Sequence, residues 1–169
     1  MAIYVRFIAD GSIVSDAIGL RTLGKPSHVE YVITHASGKP YSTFGARLIG
    51  GVKFRPYNYC KPTWEEWYTF DGIEASYKES LKFEGRKYSI REIIHLLFGW
   101  AIPFYDPKEL ICSVLFGYSN RRAWGNGTVN HPIMNPNIPT WEMTPMIDYA
   151  CCTQMVNVYR DPVVITPTG

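Results

Sequence analysis

The segment Ser27-His28-Val29-Glu30-Tyr31-Val32-Ile33-Thr34 constrains the fold more than any other. Gly24-Lys25-Pro26 turns the chain into it, and β-branched and aromatic residues fill it. At a two-residue period Val29, Tyr31 and Ile33 share one strand face, and His28, Glu30 and Val32 share the other. The chain supplies neighbours for such a strand. Ile3 to Ile8 alternates well enough for a short strand before the Asp10-Gly11 turn. Downstream, Ala36-Ser37-Gly38-Lys39-Pro40 turns into Tyr41-Ser42-Thr43-Phe44, and Gly50-Gly51 leads into Val52-Lys53-Phe54-Arg55. Three consecutive strands of this kind predict an antiparallel meander.

Helical signals surround the strands. Ile13, Val14, Ala17, Ile18 and Leu20 predict a short helix within Gly11 to Leu23. Ile73, Tyr77 and Leu81, spaced four apart, mark an amphipathic helix that Gly85 breaks. Ser89-Ile90-Arg91-Glu92 reads as a capping box opening an apolar helix through Ile93, Ile94, Leu96, Leu97 and Trp100. Ile111 to Tyr118 is apolar and too short to assign by period, so a buried strand and a buried helix start both remain open. Trp124 to Pro145, dense in Gly, Asn and Pro, reads as a long ordered loop, Thr144-Pro145 as the start of a further helix, and Gln154 to Arg160 as a final strand. Together these elements predict an α+β fold in one domain spanning residues 1–169.

Composition narrows the function. The 169 residues are 46% hydrophobic and 19% charged, which fits a packed core rather than a disordered chain. Seventeen basic against fifteen acidic residues give a net charge of +2, far from the concentrated basic face that phosphate contacts need, so no nucleic-acid partner is expected. No apolar run reaches the roughly 18 residues a bilayer span requires, and the N-terminus lacks a secretion-signal pattern. A cytoplasmic product without stable membrane insertion is the expectation, and a phage origin is compatible with it.

The cysteines at positions 60, 112, 151 and 152 have neither zinc-knuckle nor redox CxxC spacing, so neither a metal nor another cofactor is expected. Reduced thiols fit this setting. A cysteine hydrolase needs a thiolate, a histidine within reach of it and a third polar group that fixes the ring. Cys112 follows a Pro-containing loop and precedes an apolar run, where a helix N-terminus would favour its thiolate and an oxyanion. His28, opening a strand after a tight turn, is the matching base. Cys60, Cys151 and Cys152 read as structural, and His35, His95 and His131 as loop or packing residues.

Several of these segments resemble the circularly permuted papain-like hydrolases, the YiiX-like and lecithin retinol acyltransferase-like branches of the NlpC superfamily. The resemblance rests on Ser27-His28-Val29-Glu30-Tyr31-Val32-Ile33, Gly50-Gly51-Val52-Lys53-Phe54-Arg55-Pro56, Gly85-Arg86-Lys87-Tyr88-Ser89, Ile111-Cys112-Ser113 and the late Thr144-Pro145 turn, in that order. It implies a permuted papain-like fold, with the sheet packed against helices. It further implies Cys112 as nucleophile, His28 as general base and an orienting group near Ser42 or Thr43. Glu30 and Ser113 are then the expected substrate-binding residues, and no metal is implied. Two positions depart from the family's pattern: Val114 stands where many relatives carry Glu, and Tyr88-Ser89 where the family has Tyr-Asp. The implied reaction is amide or peptide hydrolysis through an acyl-enzyme, with cell-wall peptides among the substrates. Lipid acyl hydrolysis or transfer, or a binding domain of the same fold without turnover, are the alternatives.

Overall fold

The computed structural model describes residues 1–98 and 108–124. Within them the chain runs β1 (Ala2–Ala9), α1 (Ile13–Thr22), β2 (His28–Thr34), β3 (Pro40–Arg47) and β4 (Gly51–Pro56). A 3₁₀ turn at Tyr57–Tyr59 and β5 (Trp64–Tyr68) lead to α2 (Ile73–Leu81) and β6 (Lys87–Tyr88). Then come α3 (Ile90–Phe98), β7 (Glu109–Leu110) and α4 (Cys112–Trp124). The fold is α+β, as the sequence predicts. The expected late loop, the Thr144-Pro145 helix, the Gln154 to Arg160 strand, His131, Cys151 and Cys152 lie outside the described residues.

Five strands form one antiparallel sheet in the order β4-β3-β2-β1-β5. The predicted meander is its β2-β3-β4 half. β1 inserts beside β2, with Arg6 opposite Glu30 and Ile8 opposite His28. β5 closes the far edge, and sequence reading missed it because Trp64-Glu65-Glu66-Trp67-Tyr68 lacks clean alternation. Charges along an outer strand discourage pairing with another chain.

Alternation along β2 sets the layers. Val29, Tyr31 and Ile33 join Val5, Phe7, Phe44, Ala46 and Val52 in a core that Ile73 of α2 and Val114, Leu115 and Phe116 of α4 complete. The opposite face carries Arg6, Glu30, Thr43 and Arg55, all nearly sealed from solvent. Every residue of β2 is buried, polar ones included. The predicted short helix forms as α1, but its apolar residues do not make a core face. Ile13 and Leu20 are 88% and 79% exposed, while Ser15 and Ile18 are the buried positions. Ser15 is drawn inward by a 2.6 Å hydroxyl bond to Ser27, which itself donates to the Ile8 carbonyl.

One end of the sheet gathers the chain's punctuation. β2 starts there, β3 ends there and β4 begins there. Val52 N–H donates to the Arg86 carbonyl at 2.9 Å and Gly85 N–H to the Val52 carbonyl at 2.8 Å, tying β6 to this end. The β6 and β7 strands pair in parallel, Tyr88 beside Leu110, so the residue after β7, Ile111, delivers α4 to the same place. Gly51 makes the junction fit: its φ is 65°, and a side-chain Cβ there would overlap the Arg86 carbonyl oxygen. Gly51→Ala is expected to lower the unfolding free energy by about 2–4 kcal/mol, from left-handed strain plus overlap with fixed backbone. Urea denaturation measures it; an unchanged midpoint would show that the junction relaxes freely.

Candidate active site

His28 opens β2 and is 5% exposed. Its Nε2 lies 3.2 Å from Glu30 Oε2, two residues along the same face. A carboxylate only accepts, so Nε2 carries the hydrogen and Nδ1 keeps its lone pair. Burial, with Arg47 nearby, pushes the imidazole down to about 4 against the pull of Glu30, so the ring is neutral at pH 7. Among the described residues Nδ1 has no hydrogen-bond partner, and His28 lines a cavity of about 640 Å³.

Glu30 is held from every side. Oε1 accepts from Arg6 at 3.2 Å, while Oε2 accepts from the Tyr59 hydroxyl at 2.7 Å and faces Arg47 at 3.8 Å. Burial alone would raise this carboxyl, but the His28 hydrogen bond, Arg47 and Tyr59 together hold it at about 2. Arg6 continues to Glu65 (Nε to Oε2, 2.6 Å), and Arg47 to Asp10 at 3.4 Å. The row Glu65, Arg6, Glu30, Arg47, Asp10 therefore alternates in sign, which is how buried charge is tolerated. Tyr57 and Tyr59 lie under the Arg6 and Arg47 guanidiniums, 4.7 and 4.9 Å from their ring centres. Space for Glu30 comes from Gly45, where a Cβ would stand 2.9 Å from the Glu30 Cβ.

The placement of the other expected site residues is mixed. Cys112 is the first residue of α4, which settles the open reading of Ile111 to Tyr118 as a helix start. It is buried at the same sheet end as His28, close enough to Arg47 and Tyr88, two residues of the cavity wall, for a charge on it to be felt by both. Among the described residues the His28 ring bonds to Glu30 and not to the Cys112 sulfur.

Ser42 and Thr43 are not the orienting group. The register sets Thr43 opposite Val32 and Ser42 opposite Ile33, well along β2 from His28, and the Ser42 hydroxyl goes to the Arg55 carbonyl at 3.1 Å. The His28 ring bonds to Glu30 instead, and Glu30, 2% exposed and fully engaged, is not open as the expected substrate contact. Ser113 is likewise sealed, at 0%, which removes it from a substrate surface. Alternation had put Glu30 on the His28 face; its two-residue spacing was the available signal.

Sequence reading also missed Arg47, Tyr59 and Cys60. The cavity lining includes the polar groups of His28, Arg47, Tyr59, Cys60 and Tyr88 and the apolar side chains of Val14, Ile18, Leu48 and Ile49. Cys60, expected to be structural, is a half-buried free thiol that accepts from Arg47 at 3.7 Å. Among the described residues no three His, Cys, Asp or Glu side chains converge to hold a metal ion, and no helix is long and apolar enough to cross a membrane.

No protein-family model and no curated protein matches the chain. Among solved structures, the metalloprotein YiiX from Escherichia coli O157:H7, a DUF1105 protein, is similar at 17% identity and a TM-score of 0.43, covering 97% of this chain and 87% of that one. Likeness at that level carries no argument about activity.

Two measurements test the geometry. Glu30→Gln leaves Arg6 and Arg47 short of a counter-charge and is expected to cost about 3–5 kcal/mol of stability in denaturant titration; a loss below 1 kcal/mol would mean that the network is expendable. Because His28 binds a proton near 6.5 when unfolded and near 4 when folded, acid favours the unfolded chain through that window. The stability advantage of wild type over His28→Asn should therefore shrink as pH falls from about 6.5 to about 4. A constant difference across that range contradicts a neutral buried His28.

Proposed function

We propose that the chain is a cysteine hydrolase of permuted papain-like type, cleaving an amide or peptide bond by acyl transfer. The observation that carries this reading is a neutral imidazole, fixed by a buried carboxylate and without a partner on Nδ1 among the described residues, in the lining of a cavity large enough for a small acyl substrate. Cys112 supplies the nucleophile in this scheme. Its position at the first turn of α4 favours thiolate and places backbone N–H groups near a developing oxyanion.

The reaction follows from those roles. His28 Nδ1 takes the thiol proton as sulfur attacks the carbonyl carbon, then returns it to the leaving amine as the C–N bond breaks. Water, deprotonated by the same nitrogen, hydrolyses the thioester and regenerates the thiol. Glu30 keeps the hydrogen on Nε2 throughout and stabilises the transient imidazolium, so it acts as a positioning residue. An apolar acyl portion would seat against Val14, Ile18, Leu48 and Ile49. The attack requires the Cys112 sulfur to reach the His28 side of the wall formed by Arg47 and Tyr88.

A second reading has its own support: Cys60 already shares the cavity with His28 and accepts an Arg47 N–H. Acyl probes of peptide and lipid type decide between the two. With Cys112 as nucleophile, Cys112→Ala abolishes labelling, His28→Ala lowers its rate at least about hundredfold, and Cys60→Ala leaves it intact. Loss on Cys60→Ala alone would transfer the role to Cys60. Full labelling in all three variants would overturn the hydrolase reading.

A further inference from the structure

The parallel β6-β7 pair does more than deliver α4. β6 runs into α3 and β7 runs into α4, so the pairing of Lys87 with Glu109 and Tyr88 with Leu110 sets the first turns of both helices side by side. Cys112 begins one and Glu92 sits in the first turn of the other. The positive ends of two helices thus lie next to each other.

Glu92 is in an unusual state there. The capping box expected at Ser89 forms only by half: Glu92 N–H donates to Ser89 Oγ at 3.3 Å. The reciprocal bond would take Ser89 N–H to the Glu92 carboxylate, but that N–H crosses instead to the Leu110 carbonyl at 3.3 Å. Both Glu92 carboxyl oxygens are sealed from solvent, and among the described residues neither accepts a well-formed hydrogen bond, the Ile111 N–H lying near but short of one. Burial pushes the group up to about 7; the Ile111 backbone N–H pulls it back, and Glu109 on β7 pushes it further. Tyr88, on β6 and itself raised far above the usual phenol range by burial, responds to both Cys112 and Glu92, with Arg47 beyond it as the facing cation.

We propose that Glu92 is a positioning residue that controls the charge of the Cys112 thiol. Its protonated carboxyl leaves the amides of the first α4 turn to the sulfur and to the oxyanion. Its ionised form takes up the Ile111 N–H and adds a negative charge beside the thiolate, which makes that thiolate harder to form. No group is transferred; one proton equilibrates with solvent, and its presence sets the ionisation of a neighbour. This control rests on Cys112 being the nucleophile.

The test is site-resolved alkylation of Cys112 with iodoacetamide across pH 5 to 9, alongside a carbon-13 titration of the Glu92 carboxyl. In wild type the Cys112 rate should rise over a broadened range with a bend near the Glu92 midpoint. Glu92→Gln should remove the bend and speed alkylation about threefold to tenfold at pH 8, because no carboxylate then opposes the thiolate. Glu109→Gln keeps Glu92 and should move both its midpoint and the bend to lower pH, so the test survives a Glu92→Gln chain that does not fold. Superimposable Cys112 profiles, or a Glu92 midpoint that Cys112→Ser leaves unchanged, overturn the coupling even where Cys112 reacts. Alkylation that falls on Cys60 and never on Cys112 overturns the nucleophile assignment instead.

Discussion

The buried Glu30 carboxylate is the interaction on which the rest of this site depends. It is the middle charge of an alternating row and the group that fixes the tautomer of His28. The row crosses three adjacent strands: Arg6 on β1, Glu30 on β2 and Arg47 on β3. Taking these charges out of water is costly, and each is repaid only by the partner beside it. The sheet therefore cannot shift register by one residue without stranding several ions at once, so the polar face specifies pairing as strongly as the apolar face does.

A second constraint comes from the ends of short elements. Two two-residue strands, β6 and β7, contribute little burial, yet their parallel pairing decides where α3 and α4 begin. Gly51 allows β4 to approach Arg86 closely enough for that pair to sit at the His28 end of the sheet. In consequence a thiol, a sealed carboxyl and a neutral imidazole, from segments far apart in the chain, are gathered at one end of one sheet. The charge states of the carboxyl and the imidazole are set by burial first and by a named neighbour second.

Much of this was legible in the sequence, for physical reasons that can be named. β2, β3 and β4 announced themselves because period-two patterning and Gly or Pro turns act locally. The helix at Ile73 was equally plain, and so was the Ser89 cap. β5 was not, because an edge strand faces weak patterning demands. The short helix α1 was legible too, but helical spacing alone does not say which face is covered, and a Ser15–Ser27 bond draws Ser15 inward. A partner for the His28 ring was sought on the neighbouring strand near Ser42 and Thr43, whereas the carboxylate that bonds it lies two residues away on the same strand. Arg47, Tyr59 and Cys60 carried no local signal at all; only the register and the turn at Tyr57–Tyr59 bring them to the cavity.

The central claim, a His28 ring kept neutral by burial and fixed in its tautomer by Glu30, is tested most directly by nitrogen-15 chemical shifts of that ring. They should report hydrogen on Nε2, an unprotonated Nδ1, and no change of state from pH 8 down to about 5. A ring that carries its hydrogen on Nδ1, or that gains a second proton near pH 6.5, would contradict the account.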